Sequence, residues 1–517
     1  MKHPSHTAKT DPDKIAYEMA SSGETLSFAQ LDKRSNQAAH GFRKLKVEAG
    51  ENIALLFENC LDFVVLTWAA QRSGVFYTAI SCHLTANEIS YIVGDCAAKV
   101  LVLSSKYAEL FPAIQSACPD VRIYVSGKCD DPEMDWNAFV RHMPSDPIHD
   151  ETVGADLLYS SGTTGRPKGV VREFTRQPIE TVIPPLMTVL CETMANMNDQ
   201  SVYLSPAPLY HAAPLRTSMM AVMLGGKSII MERFDASEML RLIDRHRVTH
   251  TQVVPTMFLR MLRLPRAERE TSDLSSLKVI FHAAAPCPQE IKRQMLDWVG
   301  PILIEYYAGS EANGVTVSTS DDWLKYPGTV GRSLIGDILV IDENGRELPV
   351  GEIGDVYFDS GIEFSYRADP DKTAKAYLRP GCSTLGDVGY VNEEGFLFLT
   401  DRASYTIISG GVNIYPQETE DLLACHPDVA DVAVFGIPNE EMGEEVKAVV
   451  QLEDGVAPSA AKSEELMEYC RSHLSRIKAP KSIDFRTDLP RTPTGKLTKR
   501  KLKDEYWNCA IKFAGAA

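Results

Sequence analysis

Residues 159–170 read Y-S-S-G-T-T-G-R-P-K-G-V, which puts three glycines, four aliphatic hydroxyls and a lysine in one short run. Glycines such as Gly162 and Gly165 let the backbone turn tightly and come close to a ligand. Successive backbone N–H groups in such a turn form a concavity that suits anions, phosphate above all. The hydroxyls of Ser160, Ser161, Thr163 and Thr164 add donors, and Lys168 adds a charge. The guest this chemistry suits is a nucleoside triphosphate; a plain solvated loop uses the same residue types. The run departs from the P-loop, where Gly-Lys is followed by Ser or Thr. Here Pro167 precedes Lys168 and Gly169 follows it. The proline removes a donor and stiffens the turn, which argues against a helix starting there.

Further polar islands interrupt the apolar framework. Residues 208–214 (P-L-Y-H-A-A-P) hold Tyr210 and His211 between helix breakers. Residues 305–311 (E-Y-Y-A-G-S-E) follow an apolar run at 302–304 that reads as a strand. Residues 384–390 (T-L-G-D-V-G-Y) set Asp387 between two glycines, a composition that turns share. Residues 409–418 (S-G-G-V-N-I-Y-P-Q-E) follow Ile407 and Ile408, and residues 490–496 (P-R-T-P-T-G-K) read as a turn presenting Lys496. Each island alone is compatible with a structural role.

The elements that must position these islands are outlined by apolar patterning. Runs at 52–57, 99–103, 121–125, 228–231, 250–254 and 278–281 read as buried strands. Residues 62–72, 107–118 and 237–246 read as helices, and Gly74 ends the first. Such alternation predicts parallel sheets covered by helices, an α/β fold. Short runs at 337–342, 351–358 and 395–400, with the Asn344-Gly345 turn signal, predict a small β-rich subdomain at about 335–403. Helices at 417–425 and 463–474 and strands at 429–436 and 445–452 predict a small α+β domain after it. The predicted domains are therefore 1–403 and 404–517. A chain of 517 residues exceeds what a single core usually serves.

The net charge of −17 disfavours nucleic acid or an anionic membrane as the partner, but not an anionic small substrate held by local cations. Eleven cysteines without a C-x-x-C pair suit free thiols in a reducing cytoplasm. The N-terminal residues lack the apolar run of a signal peptide, and no integral membrane segment is expected.

Taken together and in this order, the islands resemble the adenylate-forming superfamily of acyl-CoA synthetases, peptide-synthetase adenylation domains and beetle luciferases. The resemblance runs from E-T-L-S-F at residues 24–28 to Lys496. It implies a large N-terminal domain of helix-covered sheets with the β-rich subdomain, followed by a small mobile C-terminal domain. It also implies a reaction in which a carboxylate attacks the α-phosphate of ATP, pyrophosphate leaves, and a thiol displaces AMP from the acyl-AMP. By resemblance the loop of Ser160, Ser161, Gly162, Thr163, Thr164, Gly165 and Lys168 holds the β- and γ-phosphates. Glu311 matches the Mg2+ ligand, and Ser310 the hydroxyl that touches the α-phosphate. Tyr307 matches the aromatic on adenine, and Asp387 the acceptor of the ribose hydroxyls, with Arg402 also reaching the ribose. Lys496 matches the lysine that bridges carboxylate and α-phosphate, and His211 a gate near the acyl pocket. Rotation of the C-terminal domain brings in Ser409, Gly410 and Gly411, past which the pantetheine of coenzyme A threads. The chain departs from the pattern at Ser310, where threonine is usual, at the hinge position Ser404, where aspartate or lysine is usual, and at Val412, where many relatives have glutamate.

The reading is therefore an AMP-forming carboxylate–CoA ligase whose partners are a small carboxylic acid, ATP and CoA, with a homodimer allowed. A ligase loading a separate acyl carrier protein, a non-catalytic nucleotide-binding relative and a γ-phosphoryl-transferring ATPase or kinase stand as alternatives. Small residues at Ala212, Ala213, Ala283, Ala284, Ala285, Gly309 and Gly314 leave room for a bulky apolar acid, whether fatty, aromatic or steroid-like, or else serve tight packing.

Overall fold

The computed structural model describes residues 3–160, 168–171, 173–367, 369–402, 405–409, 412–439, 441–491 and 497–514, with only the backbone described at 160, 401, 402 and 508–514. Two compact units emerge, Met1–His282 with Phe364–Thr373, and Ala283–Glu363 with Ala374–Ala517.

The first unit holds a four-stranded parallel sheet in the order Phe76–Ile80, Asn52–Leu56, Ala98–Ser104, Arg122–Ser126. Its strands are Val-, Ile- and Leu-rich and almost wholly buried, as expected for a parallel sheet covered on both faces. Helix Leu61–Arg72 ends where the sequence predicts, with Gly74 at φ +68 just beyond. The helix expected over 107–118 differs. Its first part is a 3-10 turn, Ser105–Leu110, and α-helix starts only at Phe111, where Pro112 occupies the first turn that proline favours. A second parallel set runs Val279–His282, His250–Val253, Val202–Ser205, Lys227–Ile230, Ile15–Met19, with Thr25–Ser27 antiparallel at the end. Helix Ala236–His246 covers it by burying Met239, Leu240, Leu242 and Ile243, with Asp235 capping its N-terminus.

The second unit contains an antiparallel run in the order Asp337–Ile341, Gly354–Asp359, Cys382–Val391, Phe396–Arg402, Gly331–Ile335, Val315–Thr319, Leu303–Ala308. It also contains a five-stranded sheet built on the long hairpin of Val429–Asn439 and Gly443–Leu452. Ile407–Ser409, Val412–Ile414 and Ser482–Phe485 complete that sheet. Helices Gln417–Ala424 and Ala460–His473 pack against it through Leu423, Leu466 and Cys470. Helix-covered sheets, a β-rich region and an α+β C-terminal region are thus the architecture that the sequence predicts. Among the described residues no helix is long and apolar enough to cross a membrane.

Candidate active site

In the first unit, Tyr159–Ser160 and Lys168–Val171 pair antiparallel, with Ser160 opposite Lys168 and Tyr159 opposite Gly169. Ser365–Tyr366 adds a third strand. Residues 161–167, and with them Ser161, Gly162, Thr163, Thr164 and Gly165, lie outside the described residues. What the flanks settle is the local architecture. Lys168 opens a strand rather than a helix, so the strand–loop–helix context of a P-loop is absent among the described residues. The Lys168 ammonium is ion-paired with Asp369, whose carboxyl it holds below the usual carboxylate range. Two members of the motif have packing roles. The Tyr159 hydroxyl donates to the Asp95 carboxylate, and a Cβ at Gly169 would stand 3.0 Å from the Tyr159 ring. Glycine at 169 therefore leaves room for that ring.

His211 is the N-cap residue of helix Ala212–Met223, and its ring lies 4.7 Å from that of Tyr210. Tyr210 in turn meets His83 edge-on at 6.4 Å. Burial pushes the Tyr210 phenol up to about 12.

In the second unit, the strand Leu303–Ala308 carries Tyr307 and leads into a turn bearing Ser310 and Glu311. The strand is longer than the sequence suggests, running through Tyr306 and Tyr307 to Ala308, because each residue from Ile304 to Ala308 finds a partner on Val315–Thr319. The turn is held by Asn313, a fully buried residue that sequence reasoning passed over. Its side-chain amide donates to both the carbonyl and the hydroxyl of Ser383 at 3.1 Å, and its main-chain carbonyl accepts from the Ser360 hydroxyl at 2.5 Å. The Asn313-Gly314 pair, a strong turn dipeptide, was the available signal. Ala312 sits at φ +53, a left-handed conformation that alanine adopts at a cost, immediately after Glu311. A Cβ at Gly309 would come within 2.7 Å of a Glu311 carboxylate oxygen and 2.6 Å of Leu385. Glycine there makes room for the carboxylate, which is itself only 9% exposed.

The Gly-Asp-x-Gly composition around Asp387 is one that turns share. Asp387 lies instead within the long strand Cys382–Val391, opposite Arg402. Turn chemistry survives locally. The Thr384 hydroxyl accepts from the Gly386 N–H at 2.9 Å, Gly386 is at φ +82, and the pairing shifts register between Val388 and Gly389. Such a bulge re-aims a side chain within a sheet. The Asp387 carboxylate, 6% exposed, accepts from the Tyr307 hydroxyl at 2.5 Å. Tyr307, Asp387 and Arg402 are thereby brought together. Ser409 ends the strand Ile407–Ser409, while Gly410, Gly411, Ser404 and Lys496 lie outside the described residues. Arg491 and Leu497, which flank 492–496, pair across an antiparallel bridge.

A family model for "AMP-binding enzyme" matches residues 5–362, and one for "AMP-binding enzyme C-terminal domain" matches residues 418–496. The chain is 31% identical to a feruloyl-CoA synthase of an Amycolatopsis species over 94% of each protein. It is 29% identical to the long-chain-fatty-acid–CoA ligase FadD13 of Mycobacterium tuberculosis, covering 96% of this chain and 97% of that one. The crystal structure of ATP-bound MatB from Rhodopseudomonas palustris superposes with a TM-score of 0.81 at 27% identity, covering 98% of this chain and all of that one. The chain belongs to the AMP-binding enzyme family and is an adenylate-forming acyl-CoA synthetase, an AMP-forming acid–thiol ligase.

Proposed function

We propose that the protein couples a bulky apolar carboxylic acid to coenzyme A through an acyl-AMP intermediate, releasing AMP and pyrophosphate. The observation that carries this reading is the pair of nearly buried carboxylates, Asp387 and Glu311, on the strand and turn that Asn313 ties together. Asp387 accepts from the Tyr307 hydroxyl, and the ribose hydroxyls are donors of the same kind. The Tyr307 ring then covers the base, and Arg402 stands opposite Asp387. Glu311 offers the hard oxygen that Mg2+ prefers, in a recess that a side chain at 309 would fill. The ion, when bound, neutralises charge between the phosphates. Lys168 is exchanged from Asp369 to the β- and γ-phosphates, beside the hydroxyls of 160–164, and Ser310 contacts the α-phosphate. Lys496 bridges the acid and the α-phosphate, so that two anions bond at one phosphorus. His211 stands at the mouth of the acyl pocket, and Ser409, Gly410 and Gly411 line the path of the thiol. Residues 404–517 act as the mobile C-terminal domain, and the chain works in the cytoplasm.

The test is incubation with ATP, Mg2+ and a panel of fatty, aromatic and polycyclic acids, offering either free CoA or a holo-acyl carrier protein. Acid-dependent AMP and an acyl-CoA thioester are expected. ADP as the nucleotide product would overturn the mechanism, and product on the carrier protein alone would reassign the acceptor.

A further inference from the structure

Three helices of the first unit, Phe28–Lys44, Leu61–Arg72 and Trp136–Val140, border a cavity of about 440 Å³, within the roughly 300–1,000 Å³ usual for small-molecule sites. None of the residues proposed for acid activation lines it. Its apolar wall comes from Leu26, Val65, Leu66 and Trp136, all buried. Leu26 belongs to the E-T-L-S-F run, which the ligase reading leaves without a task. Lys33, Arg34 and Arg141 bring three cations to the lining, and Asp62 brings its one carboxylate. Such a lining runs against the net charge of −17 that the chain carries. We propose that this cavity is a further binding site and takes an amphipathic carboxylate, with the apolar body against the wall and the carboxylate at Lys33 and Arg141.

The helical period gathers the polar side. Gln30, Lys33, Arg34 and Gln37 recur at the spacing of three and four that makes one face of Phe28–Lys44. The Gln37 side chain donates to the Arg141 carbonyl at 2.9 Å, which ties that face to the end of helix Trp136–Val140. The charges are unequally committed. Arg34 is ion-paired with Asp62, whose other oxygen accepts from the Ser126 hydroxyl. Lys33 and Arg141 are exposed and make no ion pair among the described residues. Two cations therefore remain for a ligand. A guanidinium takes a carboxylate by two parallel bonds, and an ammonium adds a point charge. A phosphate would favour an open helix N-terminus, and the two beside the cavity are taken. The one at Phe28 is closed by the capping box of Ser27 and Gln30, and the one at Leu61 carries Asp62 in its first turn. The wall is formed in advance, because the Trp136 ring is packed by Tyr124 at 5.6 Å and Phe42 at 5.5 Å.

The experiment photolabels the full chain, without ATP, using decanoic acid that carries a mid-chain diazirine, and locates the label by mass spectrometry of peptides. Label is expected on peptides that hold residues 61–66 or 136–141, and excess unlabelled decanoate should remove it. Lys33→Glu/Arg141→Glu reverses two exposed charges and should cut this labelling by about tenfold or more. The same chain ending in a trimethylammonium group or a primary amide should label these peptides about tenfold less than the acid does. That comparison uses the wild type, so it decides the matter even if the double variant does not fold. No label on these peptides, label that survives the charge reversal, or equal label from the cationic or neutral probe overturns the proposal. Decyl phosphate displacing the label more readily than decanoate overturns the choice of carboxylate. Label is read by position and without turnover, so failure here leaves the acid-ligase reading standing, and failure of that reading leaves this one.

Discussion

On the proposed reading, the Tyr307–Asp387 hydrogen bond engages the carboxylate that would receive the ribose hydroxyls. A nearly buried carboxylate must have a donor, and the Tyr307 phenol supplies one. In the proposed complex the ribose hydroxyls are donors of the same kind as the phenol. Two substitutions separate the ring from the hydroxyl. On the role proposed for it, Asp387→Ala removes charge-assisted bonds to the ribose, each worth about 1.5–3 kcal/mol, and should weaken ATP binding by at least tenfold. Tyr307→Phe keeps the ring proposed to cover adenine and removes the hydroxyl that bonds to Asp387, so the affinity should stay within about threefold of wild type. Calorimetric titration with ATP in the absence of acid reads both. A loss in Tyr307→Phe as large as in Asp387→Ala would mean that the hydroxyl, not the ring, is what the nucleotide needs. A second residue-scale feature is His3. Burial, with Arg72 adding to it, lowers its pKa from 6.5 to about 3, and its ring bonds to Gln71 at 3.2 Å and Ser5 at 2.9 Å. The unfolded segment binds a proton near pH 6.5 and the folded one does not, so the stability of this contact is full above that pH and falls as pH drops toward 3. Between pH 7 and 5 the opening free energy of helix Pro4–Thr10 should fall by about 2 kcal/mol. Amide exchange, corrected for its intrinsic pH dependence, measures this, and His3→Gln should abolish the fall.

At the scale of elements, the turn at 309–314 shows why small residues stand near a site. Gly314 and Gly309 both read in the sequence as wall material for an acyl pocket. The two have different neighbours. A Cβ at Gly314 would lie 2.0 Å from the Phe358 ring, whereas one at Gly309 would strike Leu385 and the Glu311 carboxylate. Gly314→Ala should therefore cost about 1–3 kcal/mol through overpacking, seen as a fall of several degrees in the thermal midpoint. An unchanged midpoint would show that Phe358 moves freely. Much of this region was legible beforehand. Apolar runs gave the strands on either side, and of the residues that the polar islands singled out the fold bonds Tyr307 to Asp387. What pattern could not give was the long-range pairing. Nothing near Asn313 says that it will bond to Ser383, and nothing in T-L-G-D-V-G-Y says that the strand continues through its own turn signal. Likewise Asp369 lies 201 positions from Lys168, and only the added strand Ser365–Tyr366 makes them partners. The buried ion pair of Asp156 and Arg216 escaped for the same reason, since each is an isolated charge in an apolar context until the fold joins them.

At the scale of the whole molecule, the groups proposed for catalysis are spread along the chain. Lys168 and His211 belong to the first unit and Glu311 and Asp387 to the second, while Lys496 lies outside the described residues. The two half-reactions make different demands on them. Adenylation joins two anions and needs cations at the α-phosphate. Thiol attack on the finished acyl-AMP has a good leaving group in AMP and no such repulsion to overcome. A point charge on a flexible stem, such as Lys496, is suited to the first demand and superfluous to the second. Lys496→Ala should thus lower acyl-AMP formation by about a hundredfold or more, measured by acid-dependent exchange of pyrophosphate into ATP. When preformed acyl-AMP and CoA are supplied, the same variant should form thioester at a rate within about threefold of wild type. Glu311→Gln should behave in the same way, because Mg2+ and pyrophosphate take part only in the first step. Asp387→Ala should differ from both, because the ribose is held in both steps, and it should impair each of them. A variant at Lys496 that slowed the two half-reactions equally would show that its ammonium acts on something common to both, and the division of labour between the steps would have to be redrawn.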